Sequence, residues 1–179
     1  EARVKVNQTG DFELIYKDLP IGPRNEWYNG TLSSVRHANG RDWWLIYFLG
    51  YSPDYSVQLL DSNGIHLDHL GKLDIPIKEG LGQSVFSSKG NYFARMDAIS
   101  QDSGEYISLF GFDRCAGDLF LLSTFHESGG TNTGVAFSPS EKYFYANSNT
   151  ELWQWDLQAE DIESSKVLVD TFDGFVEPG

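Results

Sequence analysis

Val85-Phe86-Ser87-Ser88-Lys89-Gly90-Asn91-Tyr92-Phe93 decides the fold, because it returns as Ala136-Phe137-Ser138-Pro139-Ser140-Glu141-Lys142-Tyr143-Phe144. The step from Phe86 to Phe137 is 51 residues. A looser copy lies upstream, Arg36-His37-Ala38-Asn39-Gly40-Arg41-Asp42-Trp43-Trp44, and Gly40 to Gly90 is a step of 50. Each copy reads as a short strand, a polar turn and an aromatic-led second strand. Asn39-Gly40 and Lys89-Gly90 supply the positive φ that a tight hairpin needs.

The second half of each unit repeats as well. An apolar residue followed by Asp closes a third strand at Leu60-Asp61, Phe112-Asp113 and Trp155-Asp156. A further β-prone run follows: Gly64 to Ile77, Asp118 to Glu127 and Lys166 to Phe172. Four strands per unit at a period near 50 match a propeller blade, whose repeats run about 40 to 50 residues. In Leu152-Trp153-Gln154-Trp155-Asp156-Leu157 the two Trp share one face, as alternation in a strand requires. Trp43 to Phe48 is apolar on both faces, as in a strand covered by a blade on each side. Residues 157–165 predict one or two helical turns between the last unit's third and fourth strands.

The expected architecture is all-β: a β-propeller segment of about three four-stranded blades plus partial flanking blades. The blades are assigned to residues 31–79, 80–132 and 133–172. Residues 1–30 are assigned to outer strands of a preceding blade, carried by Val4, Val6, Phe12, Leu14 and Tyr16. Residues 173–179, opening Asp173-Gly174-Phe175, are assigned to the start of a following one. Propellers typically have four to eight blades. The chain is therefore expected to be one incomplete propeller domain of a longer polypeptide, with that polypeptide's other blades as its first partners.

The chain holds 179 residues, 13 basic and 26 acidic, for a net charge of -13. That surface repels phosphate backbones, which argues against nucleic acid and anionic membranes as partners. Cys115 is the only cysteine, so no internal disulfide forms. The best apolar stretch, Trp43 to Leu49, is strand-sized, so no transmembrane segment is expected. No signal peptide is visible, and the opening Glu1-Ala2-Arg3 fits a processed or excised chain.

No residue set points to catalysis. Ser87, Ser138 and His126 sit in no nucleophile elbow, and turn formation explains both Ser. His66 and His69 stand at i and i+3 of a strand, which puts them on opposite faces, so no metal site is expected. Calcium is the one cofactor the chain offers oxygens for, at Asp61-Ser62-Asn63-Gly64 and between Asp113 and Asp118, but turn capping by Asp and Asn is the favoured reading. The recurrent Asp61, Asp113 and Asp156 read as blade architecture, since catalysis needs one asymmetric pair rather than one copy per blade. Cys115, beside Arg114, is expected to be a small, partly buried residue. Asn7 and Asn29 match the glycosylation pattern. Ligand binding is expected on loops of one disc face, at His37, Arg41, Gln83, Thr131 and Asn132.

Read together, Leu32 to Trp44, Gly82 to Ser87, Phe112 to Leu119, Gly134 to Pro139 and Leu152 to Ile162 resemble the WD40-like β-propeller region of large secreted Bacteroidetes proteins, which commonly end in a type IX secretion sorting domain. The resemblance implies a secreted or cell-surface location and supplies no catalytic residue. The expectation is thus a non-catalytic binding or scaffolding propeller module with a protein or polysaccharide partner. The alternatives are a carbohydrate-active hydrolase or lyase on a propeller scaffold, and a structural adhesin or filament component.

Overall fold

The computed structural model describes residues 3–6, 12–16, 30–49, 52–75, 82–98, 105–127, 134–148, 150–172 and 174. The regular elements are β-strands: β1 (Arg3–Val6), β2 (Phe12–Tyr16), β3 (Ser33–Arg36), β4 (Trp43–Phe48), β5 (Asp54–Asp61), β6 (Gly64–Lys72), β7 (Gly82–Phe86), β8 (Tyr92–Ala98), β9 (Glu105–Asp113), β10 (Asp118–Glu127), β11 (Gly134–Phe137), β12 (Tyr143–Asn147), β13 (Glu151–Asp156) and β14 (Val167–Thr171). A single turn of 3-10 helix, Glu163–Ser165, precedes β14. β1 and β2 form a two-stranded sheet. The rest form three four-stranded antiparallel meanders: β3-β4-β5-β6, β7-β8-β9-β10 and β11-β12-β13-β14.

The three repeats fold alike because their turns are alike. The turns of the three copies bond as one pattern: His37, Ser87 and Ser138 N–H donate to the carbonyls of Asp42, Tyr92 and Tyr143. Gly40 and Gly90 hold φ of 75° and 77°, and the third copy puts Glu141 there at φ 60°. The left-handed region is nearly free for Gly and costs about 1–2 kcal/mol for other residues. At the other hairpin of each unit, Asp61, Asp113 and Asp156 cap their own turns, accepting from the N–H of Asn63, Cys115 and Gln158.

Inner strands β3, β7 and β11 stand side by side and run the same way: Val135 N–H bonds Gln83 at their leading ends, and Ser88 bonds Pro139 past their trailing ends. Alternation then sends each sheet's side chains into the gap on either side. One core, with Trp44, Ile46, Phe48 and Val57 against Phe93, Phe110 and Phe112, fills the gap between the first two sheets. A second, with Ala94, Met96 and Leu109 against Phe144, Ala146 and Trp155, fills the next. Each of the larger apolar side chains among them contributes roughly 1.5–3 kcal/mol by leaving water.

The helical turn expected within residues 157–165 is a single turn of 3-10 helix, Glu163–Ser165, between β13 and β14. One sequence expectation changes here. The fourth strand of the first unit ends at Lys72, after which Leu73 turns into the core at 5% exposure. The Phe175 reading lies outside the described residues. Among the described residues no helix is long and apolar enough to cross a membrane.

Candidate functional site

A cavity of about 670 Å³ opens on inner strands β3 and β7. Its lining includes Arg36 and Trp43 from the first sheet, and Ser87, Ser88 and Lys89 from the turn after β7. Arg114, from the turn joining β9 to β10, completes it. None of its described lining residues is acidic, in a chain of net charge -13.

Local structure holds this arrangement. The Arg36 guanidinium lies 5.4 Å from the Trp43 ring centroid, a cation–π contact that orients a long, flexible side chain. Trp43 keeps 38% of its surface exposed. Arg114 Nε donates to the Arg36 carbonyl at 2.9 Å, and another guanidinium nitrogen donates to the His37 carbonyl at 3.3 Å. The Arg114 carbonyl in turn accepts from the Trp44 indole at 2.8 Å. Arg114 thus ties the second sheet's outer turn to the first sheet's inner hairpin.

Lys89 is fixed from the opposite side. Its backbone N–H donates to Glu141 Oε1 at 2.7 Å, and Asn91 Nδ2 donates to Oε2 at 2.7 Å. Burial pushes the Glu141 carboxyl up, but hydrogen bonds from Ser87, Lys89 and Asn91, with the Lys89 charge, outweigh it and leave the group below its ordinary value.

The expected ligand-binding residues do not gather. His37 and Arg41 lie at the hairpin end of β3, and Gln83 at the leading end of β7. Thr131 and Asn132 lie outside the described residues. Each described member has a local role. His37 Nδ1 accepts from the Asn39 N–H at 2.9 Å, and its ring stacks 4.8 Å from Trp44. Arg41 forms a fork on Asp42 at 2.8 and 3.1 Å. Hydrogen bonds from Arg41 and Asn39 hold the Asp42 carboxyl at about 2. Gln83 Oε1 accepts from the Val135 N–H at 2.8 Å, joining the second and third sheets.

His66 and His69 share one face, against expectation. His66 pairs with Leu59 and His69 with Val57, because a bulge at Asp68 inserts an extra residue and resets the alternation. His69 meets Asp68 through Nδ1 at 2.7 Å and Asp118 through Nε2 at 3.2 Å. Those carboxylates lie on opposite edges of the ring and do not converge. Among the described residues no three His, Cys, Asp or Glu side chains gather as a metal site.

Cys115 is exposed rather than partly buried, because Asp113 turns its backbone outward in a capped loop. Ser87 and Ser138 accept from the N–H of Tyr92 and Tyr143 at 3.0 Å, which is the turn role expected of them.

Solved structures share this arrangement of sheets. A "putative 6-phosphogluconolactonase" from Bacteroides uniformis ATCC 8492 superposes with a TM-score of 0.57 at 13% identity, over 94% of this chain and 48% of that one. A protein from Lactobacillus plantarum gives 0.54 at 14%, over 96% and 50%. The fold is a β-propeller. A second "putative 6-phosphogluconolactonase", from Bacteroides fragilis NCTC 9343, gives 0.51 at 13%, over 77% and 36%. The chain spans half or less of the length of these propellers. No family model matches the chain, and no curated protein matches it.

These likenesses correct the leading expectation of a module that makes and breaks no bond. Two of the three propellers are named putative 6-phosphogluconolactonases, which stands against the leading expectation of a non-catalytic scaffold. The propeller part of the resemblance stands, and no WD40 or sorting-domain match accompanies it.

Proposed function

We propose that this chain is part of a β-propeller hydrolase that opens an ester or lactone bond of a carbohydrate at the inner-strand cavity. The observation that carries the reading is the exposed Trp43 ring beside Arg36, Lys89 and Arg114 in one cavity. A partly exposed indole offers flat apolar surface to a sugar ring. Cations fixed beside it stabilise the negative charge that develops on the carbonyl oxygen as water attacks. The names of the similar propellers support the same bond class. A propeller channel is shared among its blades, so the base that activates water is assigned to the remaining residues of the natural protein.

The test is hydrolysis by the natural full-length protein of a panel of sugar lactones and esters. Turnover that falls at least tenfold in Trp43→Ala and in Lys89→Gln, with unchanged melting temperatures, supports the reading. No turnover of any panel member overturns it. A secreted or cell-surface location belongs to the same proposal, supported by the motif resemblance alone. Recovery of the natural protein from the cytoplasm would remove it.

A further inference from the structure

We propose that the outer mouth of the second gap docks a basic amphipathic segment of another protein. The mouth lies at the outer strands, β10 and β14, while the cavity of the proposed hydrolysis lies on inner strands β3 and β7. The docking is therefore independent of that reaction.

The first gap shows how a mouth is closed. Tyr55 Oη of β5 accepts from the Leu119 N–H of β10 at 3.1 Å, and His69 Nε2 of β6 meets Asp118 at 3.2 Å. Leu73, past the end of β6, is buried in that core. Side chains of the first sheet thus reach the outer strand of the second.

The second gap ends differently. The strap from β13 to β14, residues 157–165, packs Leu157 and Ile162 on the second core, and its 3-10 turn touches β10. Apolar side chains stay in water on both sides of it. Phe120 pairs with Gly111, on the face of β9 that turns Leu109 and Ile107 into the second core. A Cβ at Gly111 would collide with the Phe120 ring, so glycine lets that ring close on the backbone, where it stays 53% exposed. Leu122, unpaired at the bulge of β10, is exposed as well. On the other side Leu168 pairs with Trp153 and is 43% exposed, and Val169, unpaired at the bulge of β14, is exposed beside it. Single exposed apolar residues are ordinary, whereas several around one opening mark a contact surface.

Charge selects the occupant. The strap holds Glu160, Asp161 and Glu163, all exposed, and no Lys or Arg. Ser164 donates to Asp161 through its hydroxyl at 2.5 Å and its N–H at 3.3 Å, which keeps that carboxyl below its ordinary value. Lys166 follows the strap, its ammonium 3.9 Å from the Trp153 ring centroid. Three carboxylates against one ammonium leave the mouth negative. A second copy of this chain, of net charge -13, would bring like charge to it, and an anionic lipid surface is repelled in the same way. A segment with apolar residues on one face and Lys or Arg on the other meets both features. Its apolar face lies on Phe120 and Leu168, and its bases on the strap.

Fluorescence anisotropy on the natural full-length protein tests this with labelled helical peptides of about 18 residues, roughly five turns. The first has a Leu face and a Lys face, the second has Glu in place of Lys, and the third has Ser in place of Leu. The Leu/Lys peptide is expected to saturate one site and to bind about tenfold more tightly than either other peptide, with affinity falling in about 0.5 M salt. Phe120→Ser and Leu168→Ser are each expected to weaken it about fivefold at unchanged melting temperature. Trp43→Ala, in the inner-strand cavity, is expected to leave peptide binding as it is.

Equal affinity for the Leu/Lys and Leu/Glu peptides overturns the proposal in the wild type alone, whether or not a variant folds well. Leu/Lys binding that survives both Ser substitutions overturns it too, since the peptide then sits elsewhere on the acidic surface. Sedimentation and flotation with phosphatidylcholine vesicles test the other occupants. A dimer or a vesicle-bound form that is lost in Phe120→Ser gives the mouth to a second copy or to lipid and sinks the peptide docking.

Discussion

The gap between the first and second sheets and the gap between the second and third are filled alike but tied differently. Both are packed with aromatic and branched side chains. At the hairpin end the first is tied by a cation, Arg114, donating to carbonyls of the neighbouring turn. The second is tied by an anion, Glu141, accepting from the neighbouring turn. Both ties meet at one repeat position. Gly90 leaves room for Arg114, whose Cδ lies 3.1 Å from where a Cβ would stand. Glu141 fills the matching place and reaches back. A repeat fold fixes where its blades must be joined and leaves open which charge joins them.

The largest expected effect lies in the first gap. Arg95 and Asp97 are ion-paired on β8 at 2% and 5% exposure, with the guanidinium 4.9 Å from the Phe48 ring centroid of the first sheet. Asp97→Ala leaves that guanidinium buried without its carboxylate and is expected to cost about 3–5 kcal/mol in chemical denaturation of the natural protein. Arg95→Met with Asp97→Leu removes both charges and is expected to fall within about 1 kcal/mol of wild type. A double variant as unstable as the single one would mean the pair is needed for more than mutual compensation.

Next comes the second gap. Glu141→Ala loses the bonds from Lys89 and Asn91 yet keeps φ near 60°, and is expected to cost about 2–3 kcal/mol. Glu141→Gly loses the same bonds but sheds the backbone strain, so it is expected to recover about 1 kcal/mol of that. Equal losses in the two variants would show that no strain is held at this turn.

The repeat step, the Gly of two hairpins and the Asp that ends each third strand were enough to place three four-stranded sheets, because each is a local rule obeyed three times. The candidate site was not legible the same way. Arg36, Lys89 and Arg114 belong to different turns and meet only when the sheets stand side by side. His37 and Gln83 looked like neighbours on one disc face. Strand direction puts them at opposite ends, and their side chains are engaged in holding turns and sheets together. The face shared by His66 and His69 depends on the bulge at Asp68, which spacing alone does not reveal. The Glu141 tie had one visible signal, a Glu where two repeats have Gly.

A smaller effect separates those two glycines. Both have positive φ, but a Cβ on Gly40 meets nothing within 4 Å, whereas one on Gly90 would stand 2.5 Å from Val35 Cγ2. Gly40→Ala is expected to cost about 1 kcal/mol, the backbone term alone. Gly90→Ala adds the overpacking of the first gap and is expected to cost about 2 kcal/mol. Similar melting temperatures for the two variants would mean that the gap yields to the added methyl.

Acid offers the mildest way to tell the two ties apart. A guanidinium as a class keeps its charge across the accessible pH range, so acid is not expected to act on a tie made by arginine. Glu141 is held below the ordinary Glu value of 4.5 in the folded chain. A group depressed by folding contributes stability that is fully present above its unfolded value and is lost as pH falls through its folded value. Acidification from about pH 5 downward is therefore expected to weaken the second gap. Asp42, held at about 2 by Arg41 and Asn39, is still ionised in most of that window. Glu141→Gln removes the titrating group, so its stability should run closer to flat over the interval in which wild type declines. If wild type and Glu141→Gln lose stability in parallel, the acid-sensitive joint lies elsewhere, and the two gaps differ in the sign of their tie without differing in its response to protons.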